Sequence, residues 1–328
     1  MLSVPGLLRR TDDAVRDALS TAARRRGWTP AVIGHPGYGS GGRARVLARV
    51  LLAPPGTDPA ARRAVPGWQR FLTLESPDTD VVVTVAGREH RVRSDADGLL
   101  DATVDLPPGL ADVGAVRVGF RAGDRTAESV VHLASADAAR GVVCDVDDTV
   151  LVTGIGHPLH AAWRTLVQPM RTREAVPGMA TLLRELTAGA PHVPVVYLSN
   201  GPWNLAGPLA RFLERNDLPP GALLLTDWGP RPDRWFRSGR QHKQAELRRL
   251  ADDLPGVRWT LVGDTGEHDP QLYRAFAHER PDRVAAVLLR DVTGGRRVER
   301  VGQVPVVLAP DGAALASALA ELGPTPSS

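Results

Sequence analysis

From residue 141 onward the chain alternates uniformly apolar runs with helical stretches, and nothing else in it restricts the fold so tightly. GVVCDV (141–146), VPVVYLS (193–199), ALLLTD (222–227), WTLVGD (259–264) and VAAVLL (284–289) leave no polar face for water. Segments 177–188, 203–216, 240–253 and 269–279 between them have helical composition and spacing. Strands covered on both faces and separated by helices predict a doubly wound parallel sheet of the α/β class. PVVLA (305–309) adds a sixth strand to this expectation, and DGAALASALAEL (311–322) a closing helix.

Before residue 134 the pattern differs. RVLARVLL, WQRFLTLE, DVVVTVAG, EHRVRS, GLLDATVDL, AVRVGF and ESVVHL are seven short β-type runs, with AGRE (86–89) and DADG (95–98) as turns. They predict an N-terminal all-β sandwich, best described as immunoglobulin-like. Residues 11–26 read as an amphipathic helix. The glycines of GWTPAVIGHPGYGSGGR (27–43) read as a loop. The expected division is a helix and linker over 1–30, the β-sandwich module over 31–136 and the α/β domain over 137–328.

Composition narrows the function. A hydrophobic fraction of 43% with 23% charged residues gives a globular chain, and a net charge of +3 in 328 residues does not suggest nucleic acid as partner. The single cysteine, Cys144, excludes an intrachain disulfide framework and a cysteine-rich metal site. No run reaches the roughly 18 apolar residues of a membrane helix, and no secretory signal is evident, so a soluble cytoplasmic protein is expected.

In open α/β sheets ligands bind beyond the carboxyl ends of the strands. Those ends carry Asp145, Asp147 and Asp148, then Ser199, Asn200 and Gly201, then Asp264 with Asp269 five residues on; Lys243 is expected to open the helix before the fourth strand. Carboxylates this close require a cation. A magnesium ion suits Asp145 and Asp264 with a carbonyl at Asp147. One strand-end aspartate can then attack phosphorus, and another two residues on, facing the same side, can protonate the leaving oxygen.

DVDDTV, a strand ending in Ser199, Lys243 and GDTGEHD together resemble, in order, the four motifs of the haloacid dehalogenase superfamily of aspartate-dependent phosphohydrolases. VLVTG, YLSNGPWNL, LLLTDWG and LVGDTGEHDPQLY look further like the actin-patch-associated phosphatidate phosphatase catalytic domain, over roughly residues 140–292. The resemblance implies a haloacid dehalogenase-like Rossmannoid fold and hydrolysis of a phosphomonoester, with phosphatidate as substrate. It implies Asp145 as nucleophile, Asp147 as general acid and base, Ser199 and Lys243 as phosphate ligands, and Asp264 as metal ligand, with Asp269 near the metal. Asn200 stands where a second serine is often found.

Only 26 residues, 151–176, are available for a lid between the first two motifs, which is too few for a full cap domain. The segment DWGPRPDRWFRSGRQHK spaces Arg231, Arg234, Arg237 and Arg240 three apart among aromatics. It reads as a loop for a substrate headgroup or an anionic membrane surface, with Arg234 and Arg237 contacting substrate. Rival readings are a phosphatase for soluble or protein phosphoesters, a catalytically silent adaptor in which the β module binds a protein partner, and a receiver-like phosphoacceptor. The chain has 39 arginines against one lysine, Lys243, and a planar guanidinium fork does not substitute for a compact ammonium beside a phosphoryl group.

Overall fold

The computed structural model describes residues 18–57, 74–110, 113–152, 173–226 and 232–323, without the side chains of 232–238. It is a mixed α/β structure rich in strand, built from two sheets. The first sheet comprises β1 (Thr29–Ser40), β2 (Arg43–Ala53), β3 (Leu74–Glu75), β4 (Asp80–Val85), β5 (Arg88–Arg93), β6 (Leu99–Asp105), β7 (Ala115–Ala122) and β8 (Arg125–Ala134). Its order is β3-β2-β1-β8-β7-β4-β5, and β6 shares with β3 the edge of β2 left open by β1. DVVVTV alternates across β4: Val81, Val83 and Val85 point inward, meeting Val46 and Val50 of β2, Leu100 of β6 and Phe120 of β7 in one core. All eight strands belong to one hydrogen-bonded sheet curled around that core, whereas a sandwich has two sheets.

The stretch expected as a glycine-rich loop is the twelve-residue strand β1. Glycine here permits close approach: a Cβ on Gly37 would strike the carbonyl of Arg45, and one on Gly39 would lie 2.5 Å from that of Arg43. The register shifts between His35 and Tyr38, and β1 then runs parallel to β8 from Gly37↔Val131 to Ser40↔Ala134. Of the helix expected over 11–26, residues 18–25 are helical and 11–17 lie outside the described residues; so do 68–73 of WQRFLTLE.

The second sheet contains β9 (Arg140–Cys144), β10 (Val195–Pro202), β11 (Ala222–Thr226), β12 (Arg258–Asp264), β13 (Val284–Arg290), β14 (Arg297–Val301) and β15 (Val304–Ala309). Its order is β11-β10-β9-β12-β13-β15-β14; every pairing is parallel except that of β14, an edge strand with no counterpart in the sequence reading. The six parallel strands thus run third, second, first, fourth, fifth, sixth in chain order. That order reverses direction at β9 and β12, which opens a crevice beyond their carboxyl ends.

Among the described residues five α-helices accompany this sheet: α1 (Met179–Thr187), α2 (Ala206–Arg215), α3 (Pro232–Asp253), α4 (Asp269–Glu279) and α5 (Gly312–Glu321). α1 and α5 pack together, and a Cβ on Gly312 would collide with the carbonyl of Gly178 just before α1. The segment 232–240, expected as part of a loop, is helical, so Lys243 lies in the middle of α3 and does not open it. No described helix is long and apolar enough to cross a membrane.

The two sheets meet through buried polar groups as well as apolar ones. Tyr38 and Leu47 of the first sheet join the core of the second. Arg45, 4% exposed, binds Asp101 of β6 and Glu246 of α3, while the Tyr38 hydroxyl donates to Asp253 at 2.7 Å. Arg49 donates to Asn204 at 2.6 Å, and His35 stacks on Trp203 with ring centroids 4.8 Å apart. Burial, and then the charge of Arg49, hold the His35 imidazole at a pKa of about 3, so it stays neutral. Both Asn204 and Trp203 follow directly on β10, whose end carries Ser199.

Candidate active site

The reversal point gathers residues from four separate segments. Beyond the last paired residue of β9, Asp145 is fixed by its backbone N–H, which donates to the Val262 carbonyl of the neighbouring β12 at 2.8 Å. Asp264 ends β12, and Asp269 is the first residue of α4, where the helix macrodipole favours a carboxylate. Gly263 makes that approach possible, because a Cβ there would lie 2.5 Å from Asp269 Oδ2. The ammonium of Lys243 reaches in from α3, donating to Asp145 Oδ1 at 2.6 Å and to Asp269 Oδ1 at 2.7 Å.

All four groups are nearly inaccessible to water: Asp145 is 2% exposed, Lys243 2%, Asp264 0% and Asp269 1%. Burial is the largest influence on the Asp145 and Asp264 carboxyls. It pushes the Asp145 carboxyl up to about 6 despite the opposing pull of Lys243, and, with the negative charges of Asp145 and Asp269, pushes Asp264 up to about 8. Burial acts to discharge Lys243 too, but Asp145 and Asp269 outweigh it and hold the ammonium above its ordinary value. Three acids against one cation leave the cluster short of positive charge.

The missing charge has a natural position. Asp145, Asp264 and Asp269 each offer an oxygen within 4.8 Å of the others. Asp264 Oδ1 and Asp269 Oδ2 are buried without any hydrogen-bond partner, whereas Asp264 Oδ2 accepts from the Gly266 amide at 2.5 Å. Orphaned carboxylate oxygens in a buried acidic triad are what a hard divalent cation satisfies, so the residues present fit a metal.

Asp147, included among the expected metal residues, is positioned otherwise. Its Oδ2 accepts from the Ser199 hydroxyl at 3.1 Å, and the Gly201 amide donates to the same hydroxyl at 2.9 Å. Burial, reinforced by the charge of Asp145, pushes the Asp147 carboxyl up to about 6. Ser199 is therefore tied to the acid/base candidate, and Gly201 contributes its amide. Asn200 has an unpartnered Oδ1 beside Gly239 of α3, while its carbonyl accepts from Thr226. The side chains of Arg234 and Arg237, together with residues 153–172 of the expected lid, lie outside the described residues.

Three features went unread in the sequence. Thr149 donates its hydroxyl to Asp145 Oδ2 at 3.0 Å and so fixes the orientation of the candidate nucleophile. The left-handed backbone of Asp148, at φ 53°, is the signal that the DVDDT turn is tight; the Asp148 carbonyl accepts from Arg290 at 2.6 Å. Arg173 approaches Asp147 from a distant segment, and no local pattern distinguishes it from the other arginines. Cys144 packs as a small apolar residue: it is fully buried, its thiol meets the Asp145 carbonyl at 3.1 Å, and burial raises its pKa.

Residues 140–291 match the family model described as phosphatidate phosphatase APP1, catalytic domain. The chain is 24% identical over 234 residues to phosphatidate phosphatase APP1 of Saccharomyces cerevisiae, covering 68% of this chain and 39% of that protein. It is 28% identical over 153 residues to an uncharacterized protein of Schizosaccharomyces pombe, covering 46% of this chain and 25% of the other. The chain thus spans well under half the length of both curated relatives. Among solved structures, a carbohydrate acetylesterase from Xanthomonas citri is 12% identical, with a TM-score of 0.29 over 86% of this chain and 71% of that one, too low to bear on fold or activity.

Proposed function

We propose that this chain, whose residues 140–291 match the model of the phosphatidate phosphatase APP1 catalytic domain, is a metal-dependent phosphatase of that family with a haloacid dehalogenase-like doubly wound domain. The observation that carries the reading is the buried set of Asp145, Asp264, Asp269 and Lys243 with two orphaned carboxylate oxygens, beside the Asp147–Ser199 pair. A divalent cation held by Asp145, Asp264 and Asp269, magnesium in this proposal, would screen the negative charge of the substrate phosphate.

The chain's own residues divide the chemistry. An Asp145 carboxylate oxygen attacks phosphorus, forming an aspartyl-phosphate as the P–O bond to the leaving group breaks. Asp147, held near a pKa of about 6, gives its proton to the leaving alkoxide and then takes one from the water that attacks the same phosphorus. The Asp145 acyl-phosphate bond breaks and inorganic phosphate departs. Ser199 and Thr149 keep the two carboxyls oriented, and Lys243 neutralises Asp145 and Asp269 while retaining one N–H for a phosphoryl oxygen.

Phosphatidate is the proposed substrate, since it is what the yeast relative's name specifies. Phosphate release from phosphatidate in mixed micelles, compared with soluble phosphomonoesters and with and without magnesium, tests this. No metal-dependent release from any phosphoester refutes the enzyme; release from soluble esters alone refutes the lipid.

Metal binding should depend on pH with a definite sign. The Asp145 and Asp264 carboxyls are raised above their unfolded values, so the metal-free fold binds extra protons, and this contribution to stability disappears as pH rises toward about 8. A cation must displace those protons. The increase in thermal midpoint caused by magnesium should therefore be larger at pH 8 than at pH 5, and an increase independent of pH would show that the triad does not bind it.

Lys243→Arg should reduce turnover by roughly a hundredfold or more, because the fork cannot bridge Asp145 and Asp269 at 2.6 and 2.7 Å in the space of an ammonium. Near-normal turnover would separate the solitary lysine from the chemistry.

A further inference from the structure

Just after the Asp147 turn the chain pairs with a distant segment. Val152 N–H donates to the Glu174 carbonyl at 2.9 Å and Val176 N–H to the Val150 carbonyl at 3.0 Å. Leu151 is bridged to Asp147 on one side and to Ala175 on the other. This arrangement brings Arg173, two residues before Ala175, to the side of Asp147.

Both terminal nitrogens of the Arg173 guanidinium, Nη1 and Nη2, are buried and have no hydrogen-bond partner. Among the described residues no other arginine is in this state; for Arg49, Arg258 and Arg283 the buried atom without a hydrogen bond is Nε, and that of Arg283 still lies 3.2 Å from an Asp282 oxygen. Buried donors without an acceptor are costly, and the fork is the group best shaped for two oxygens of one anion. Burial pulls the guanidinium below its ordinary pKa while Asp147 and Asp148 hold it up, and Asp147 in turn feels Arg173 as a positive charge. Yet Arg173 forms no hydrogen bond to Asp147, whose Oδ2 takes the Ser199 hydroxyl.

The site needs a second cation of this kind. Two of the three N–H groups of Lys243 are committed to Asp145 and Asp269, so among the described side chains a phosphoryl dianion entering among four aspartates meets little free positive charge. We infer that Arg173 binds the substrate's phosphoryl group, its Nη1 and Nη2 donating to non-bridging phosphate oxygens next to Asp147. The inference rests on the phosphatase reading for its substrate, but the anion site it describes can be measured without turnover.

Inorganic phosphate is the probe, titrated into the full chain with magnesium present and followed by calorimetry and by thermal shift, for wild type, Arg173→Met and Arg173→Lys. Loss of two charge-assisted hydrogen bonds should weaken phosphate binding by roughly ten- to a hundredfold in the methionine variant. The phosphate-free thermal midpoint should stay the same or rise, since an unsatisfied buried guanidinium has been removed. Arg173→Lys, which keeps the charge without the fork, should fall between and carries the test if the methionine variant does not fold. Phosphate affinity within twofold of wild type in the folded variants overturns the inference, as does a wild type that binds no phosphate. An Arg173-dependent phosphate site without hydrolysis of any phosphomonoester would retain the site and reject the enzyme; hydrolysis with KM unchanged in both variants would do the reverse.

Discussion

Asp145→Asn should abolish phosphatase turnover, by on the order of 10⁴-fold or more, while leaving the fold intact. The amide is nearly isosteric: with its oxygen in the place of Oδ1 it still accepts from Lys243, and its NH2, in the place of Oδ2, can donate to the Thr149 hydroxyl, which turns to accept. It also removes a buried negative charge that helps raise Asp147 and Asp264, which should relieve some electrostatic strain. What it cannot do is attack phosphorus as a carboxylate or accept the phosphoryl group. The expected signature is therefore a folded protein, with a thermal midpoint near or above wild type, that releases no phosphate. Turnover surviving the substitution would refute the covalent mechanism. A second measurement sharpens it: brief incubation of wild type with a labelled phosphomonoester and acid quench should trap label on the protein, and Asp145→Asn should trap none.

The site was legible in the sequence because strand ends are legible. Once GVVCDV, VPVVYLS and WTLVGD are read as buried parallel strands, their last polar residues must lie along one sheet edge, and Asp145, Ser199 and Asp264 follow. Lys243 could be singled out by its rarity, although its place in the middle of α3 could not, since Pro232, Ser238 and Gly239 give residues 232–240 a loop-like composition. Roles that depend on tertiary approach left no mark in the local sequence. Thr149 reaches the nucleophile only because the chain turns tightly at Asp148, and Arg173 reaches Asp147 only through pairing across the 153–172 segment. β1 was obscured for a related reason: its glycines are there to let β2 come close, a requirement of the partner strand that has no local signature. The lone edge strand β14, RVERV, is mostly exposed and hence lacks the apolar run that identified its neighbours.

The same tertiary logic gives the curled β sheet a role the sequence did not suggest. Arg45 projects from β2 into the contact with α3, where Nη1 and Nη2 donate to Glu246 at 2.5 and 3.0 Å, and Nε and Nη2 donate to Asp101 at 2.8 and 2.6 Å. Glu246 is three residues beyond Lys243 on that helix, so the ion pair fixes the turn that delivers the ammonium. Arg45→Met should destabilise the protein by about 3–5 kcal/mol, because it leaves the nearly buried Glu246 without its cation; Asp101 keeps Arg249 at 2.9 Å and suffers less. Replacing both partners, Arg45→Met with Glu246→Leu, should recover most of that loss, since an apolar pair of similar volume needs no compensation. Denaturant unfolding followed by tryptophan fluorescence, with Trp203 and Trp259 reporting from the second sheet, measures both. A single substitution costing less than about 1 kcal/mol would mean the pair is solvated and weak, as surface pairs are. If the double variant regains stability but not turnover, the charge pair is needed for the setting of Lys243 beyond its contribution to folding. If it regains both, any well-packed contact between the sheets suffices to hold α3 in position.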